Sequence, residues 1–159
     1  MKKTVFAATA AIALLAGAPM VSAATVDLGL LDCQVSAGEG FIFGSTKSIA
    51  CTYTPSDSSL PSETYSGEIK RYGIDIGFTE KADMKWAVLA KTAGAYGPGS
   101  LAGHYGGVGA EVTAALGVGT NVLVRDSTSD FILQPVSVQG QTGLNIALGV
   151  AELELSAGQ

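Results

Sequence analysis

The chain has 159 residues, 47% of them hydrophobic and 14% charged, with 21 glycines and a formal charge of −5. That apolar content excludes low-complexity disorder, and the glycines follow no three-residue period, which excludes collagen. The acidic balance leaves no basic stripe to neutralise phosphates, so nucleic acid is not an expected partner.

Met1-Lys2-Lys3 is a short basic start, followed by an apolar run from Val5 to Ala18 and then Val21-Ser22-Ala23. Basic start, short apolar run and small-residue triplet are the three parts of a cleavable secretory signal, which predicts processing after Ala23. The run is too short to cross a hydrocarbon core, which needs about 20 residues. The expected organisation is a signal peptide at 1–23 and one domain at 24–159. No later stretch is long and apolar enough for a spanning helix, so the processed chain is expected in the periplasm.

The processed chain alternates apolar and polar residues, with turn residues as punctuation and no sustained helical period. Thr25 to Val35 reads as a first strand and Phe41-Ile42-Phe43 as a short second one. Ser48 to Thr54 is a third, stopped by Pro55 and the polar stretch Ser56 to Ser62. Tyr65 to Thr79 is long and carries Gly67, Gly73 and Gly77, which predicts a curved strand or two joined pieces. Met84 to Thr92 follows, with Trp86, Val88 and Ala90 on one face.

Ala93 to Gly103 reads as a loop. From Val108 to Val124 one parity is apolar (Val108, Ala110, Val112, Ala114, Leu116, Val118, Val122, Val124), and the other is mostly small or polar. Some twenty residues exceed a usual strand, so a bend near Gly117–Asn121 is expected. Phe131 to Gln139 and Leu144 to Leu155 close the domain, and the parity change at Val150-Ala151 predicts a bulge. About eight strands with short connections predict an all-β fold, a compact antiparallel barrel or sandwich.

Cys33 and Cys51 are the two cysteines, both within expected strands. In an exported chain such a pair is expected to form a disulfide. A redox pair would sit two residues apart, and zinc needs four ligands, so neither a metal nor a redox centre is expected.

No chemistry is visible in the sequence. His104 is the single histidine, and no sequence-near Ser-His-Asp or His-x-x-x-His arrangement includes it. Gly38-Glu39-Gly40 and Gly117-Val118-Gly119 are fragments that complete no phosphate loop. No catalytic residue, metal or cofactor is therefore assigned. The amide-rich stretch Leu133 to Asn145 is the most unusual segment. It offers a candidate polar rim of Asn121, Gln139, Gln141 and Asn145 beside an apolar wall of Val112, Leu116, Val122 and Val124. Ligand pockets combine those two elements, and so do tight hairpins whose amides satisfy the backbone.

Several stretches together resemble the bacterial domain-of-unknown-function family 992. They are Gly40 to Ser45, Ile49 to Tyr53, Tyr72 to Gly77, Trp86 to Val88, Leu101 to Gly103, Gly119 to Val124 and Gln134 to Asn145. The resemblance implies no established activity and maps no catalytic residue. More faintly, Gly107 to Leu155 is similar to the glycine-rich β half of the SYLF lipid-binding domain. The expectation is an exported, non-catalytic envelope protein with a structural or binding role. The alternatives are a periplasmic binder of lipid or another small amphipathic ligand, and a small outer-membrane β-barrel.

Overall fold

The computed structural model describes residues 25–36, 45–71, 82–108, 118, 122–126, 128, 130–136 and 150–158. Eight strands are found in them: β1 (Val26–Val35), β2 (Ser45–Pro55), β3 (Glu63–Arg71), β4 (Ala82–Ala90), β5 (Gly103–Gly107), β6 (Leu123–Arg125), β7 (Phe131–Pro135) and β8 (Val150–Ala157). They close into one barrel in the order β1-β2-β3-β8-β5-β6-β7-β4, with every pairing antiparallel. Closure gives every described strand a neighbour on both sides, so among the described residues the sheet has no edge strand. Of the two architectures open in the sequence, barrel or sandwich, the protein forms the barrel.

The order contains the same motif twice. In space β4-β1-β2-β3 is followed by β8-β5-β6-β7, and each run places a fourth strand beside the first of a three-strand meander. This is the Greek-key arrangement. The two keys meet at two seams, β3 against β8 and β4 against β7. No internal sequence repeat accompanies this duplicated topology.

Alternation sets the faces of the first key. Leu31, Cys33 and Val35 of β1 point inward, as do Ile49, Cys51 and Tyr53 of β2 and Met84, Trp86, Val88 and Ala90 of β4. Asp32, Gln34, Thr52, Lys70 and Lys85 take the outward positions between and beside them. The interior is filled: Trp86, Tyr53, Phe131, Leu31, Ile69, Met84 and Leu133 are all completely buried. An eight-stranded barrel is narrow enough for side chains to fill, and this one takes that course.

Gly29 and Gly67 are among the glycines that sit where a side chain does not fit. Gly29 has φ +147° and follows a bulge in which Leu28 is the extra residue against β4. A Cβ there would lie 2.3 Å from the Thr54 carbonyl oxygen. Tyr53 donates its hydroxyl proton to the Leu28 carbonyl at 2.6 Å, which fixes the bulge from the neighbouring strand. Gly67 lies at the β3–β8 seam, where a Cβ would come within 1.8 Å of the Glu154 carbonyl oxygen. The bulge expected at Val150-Ala151 is present: Lys70 pairs with Glu152 and Arg71 with Val150, leaving Ala151 extra. Val150, Leu153 and Leu155 are therefore all buried although their parity changes.

Cys33 and Cys51 form the expected disulfide and are directly paired across β1 and β2. They lie inside the barrel, 0% and 3% exposed.

Several boundaries differ from the sequence reading. The strand expected at Met84–Thr92 runs from Ala82 to Ala90, and Gly103, placed in the loop, begins β5. Phe41 to Phe43, the second half of Tyr65–Thr79, most of Val108–Asn121 and the amide-rich turn lie outside the described residues. The faces of β6 are also reversed. Leu123, from the parity read as small or polar, enters the barrel core, whereas Val122 and Val124 turn outward. There they form a second cluster with Ile132, against which Leu89, Val108 and Val118 pack. Of the apolar parity, the described residues Val108, Val118, Val122 and Val124 stand together on the side away from the barrel core, because both sides of β6 and β7 are apolar.

Candidate functional site

All strands run alternately, so their ends fall into two groups. Val35, Ser45, Arg71, Ala82, Gly107, Leu123, Pro135 and Val150 mark one end of the barrel, and the other strand termini mark the opposite one. The connections 108–122 and 136–149 both leave from the first end. They carry the sequence-predicted rim, but Asn121, Gln139, Gln141 and Asn145 lie outside the described residues, as do Val112 and Leu116. Val122 and Val124 are 0% and 5% exposed in the outer cluster, and they do not line the barrel interior.

The opposite end carries the best-defined polar construction. The connection 91–102 crosses it, with a single 3-10 turn at Ala93–Ala95. Leu101 enters the core and is completely buried. Tyr96 stacks at a tilt on Tyr53, ring centroids 5.3 Å apart. Glu63, at the start of β3, gathers donors: the Tyr65 hydroxyl at 2.5 Å and the Gly99 N–H at 3.2 and 3.3 Å to its two oxygens. Tyr105 donates to the Leu101 carbonyl at 2.7 Å.

Burial pushes the phenols of Tyr53, Tyr65 and Tyr105 well above the usual tyrosine range, with the Glu63 charge adding to the first two. Tyr96 is pushed up to about 12 by burial and then by Glu63. These groups stay neutral donors, suited to holding a carboxylate and carbonyls rather than to transferring protons near neutral pH.

Arg125 of β6 completes this end. Its Nη2 meets Asp130 Oδ2 at 2.7 Å and its Nε meets Asp130 Oδ1 at 2.9 Å. Its Nη1 donates to the carbonyls of Ser100 and Ala102 at 2.5 and 3.1 Å. The guanidinium also lies 4.7 Å over the centre of the Phe131 ring. Burial alone raises the Asp130 carboxyl, but hydrogen bonds from Thr128 and Arg125 and the Arg125 charge outweigh it, so the net shift is downward. The planar fork is used in full, which is what arginine offers and lysine does not.

His104 falls on the outer wall of β5, opposite Glu154 of β8, with Nε2 3.8 Å from Oε1. Glu68 of β3 is directly across from Glu154 on its other side, and Lys70 is 3.5 Å from Glu152 in the next row. A shallow groove runs between these side chains. Both His104 and Glu154 are more than half exposed, so water screens this pair strongly. Among the described residues no group of three or more His, Cys, Asp or Glu is placed to hold a metal ion. The Glu63 and Arg125 ties were missed in the sequence because their partners are backbone groups of one distant loop, which no spacing rule reveals.

The family described as "Protein of unknown function (DUF992)" matches residues 11–156, and the chain belongs to it. No curated protein and no solved structure matches the chain. The fainter likeness to the SYLF domain has no support in these comparisons.

Proposed function

We propose that this DUF992 protein is an exported, non-catalytic component of the cell envelope that acts as a structural or binding protein through its outer surface. The observation that carries this reading is the division of chemistry across the barrel wall. The described interior is filled and mostly apolar, with Lys47 the buried charged residue among those described, while the outward positions of β1, β2, β3 and β8 carry Asp32, Gln34, Thr52, Lys70, Glu152 and Glu154. A carrier of the lipocalin kind needs an empty interior. A membrane-spanning barrel needs an apolar band outside and polar groups within, the reverse of this wall. A charged exterior on a solid core suits contact with water and with other polar surfaces.

Support for export comes from the oxidised pair Cys33–Cys51, since such bonds persist outside the reducing cytoplasm. The signal-like start agrees with it. Expression of the full chain with its own N-terminus in a Gram-negative host, followed by fractionation and intact mass, tests the reading. The expected product is a soluble periplasmic chain beginning at Ala24, with both thiols oxidised. Retention of Met1, or recovery only in the outer-membrane fraction, would overturn it. Native mass spectrometry of the same material checks the surface-binding claim. A lipid carried through gentle purification would point instead to an amphipathic-ligand carrier.

A further inference from the structure

We draw no further inference here: the strongest candidate, the shallow groove on the outward face of β3, β8 and β5 between Glu68, Glu152, Glu154, Asp126 and His104, is a cluster of exposed acidic side chains beside one histidine, and nothing else in the structure points to a ligand for it.

Discussion

The first Greek key, β1 to β4, and the second, β5 to β8, share one strand order and differ in almost everything else. The first has strands of nine to eleven residues, a disulfide, and a wall that is mostly polar on its outward side, with Leu89 of β4 reaching the outer cluster. The second has strands of three to eight residues and buries both sides of β6 and β7, Leu123, Phe131 and Leu133 inward and Val122, Val124 and Ile132 outward. Long alternating strands stabilise themselves through many cross-strand pairs and need one covered face. Short strands make few ladder bonds, and burial on two faces replaces what length supplies elsewhere. One topology is thus reached by two physical routes.

The largest effect is expected where the two keys meet. Gly67→Ala drives a Cβ into the Glu154 carbonyl, and backbone cannot rotate away as a side chain could. The β3–β8 seam must part, at a cost of about 4 kcal/mol or more, seen as a lowered urea midpoint or no folded protein at all. A variant of near wild-type stability would show that the seam is not the shared support described here.

The next effect should be confined to the first key at its origin. The Cys33–Cys51 bond spans a separation of 18 residues, for which the chain-entropy model gives about 3 kcal/mol. Changing both to Ala should lower unfolding free energy by about 2–4 kcal/mol, and the loss should vanish when wild type is assayed under reducing denaturant.

Outward positions separate the keys most directly. Ile132→Ala opens a hole in the outer cluster of the second key and should cost about 2–4 kcal/mol. Thr52→Ala, outward on the first key and exposed, should stay within about 0.5 kcal/mol. Equal costs in chemical denaturation would remove the distinction between the two walls.

Among the core changes, the smallest effect is expected in the first key's own interior. Trp86 is completely buried, and its Nε1 is the buried side-chain donor left without a partner among the described residues. Trp86→Phe gives up ring volume but also removes an unsatisfied N–H, so the two changes oppose and the net shift should be within about 1 kcal/mol. A much larger loss by thermal unfolding would mean that the indole N–H has an acceptor after all.

Much of the first key was legible before any coordinates. In β1, β2 and β4 the inward positions Leu31, Cys33, Val35, Ile49, Cys51, Tyr53, Met84, Trp86 and Val88 are apolar and most residues between them are polar, so strand and face follow together from the period. The cysteine pair and the bulge at Ala151 were readable for the same reason, as local departures from a local rule. In the second key the sequence Phe131-Ile132-Leu133 is apolar at every position, and period two then names two faces without saying which is inside. The candidate rim of Asn121, Gln139, Gln141 and Asn145 lies outside the described residues, so its role rests on the sequence alone.

By itself, then, the sequence determined that this chain is all-β and that its two cysteines belong together, because those are consequences of neighbours within a few residues. The tertiary structure alone decided the closed order with two Greek keys, since β3 finds β8 and β4 finds β7 across long separations that leave no local mark. It also decided the outward turn of Val122 and Val124, and the grips of Glu63 and Arg125 on residues 99–102. Such choices depend on which surfaces meet once the barrel closes, and a one-dimensional pattern of polarity holds no record of that.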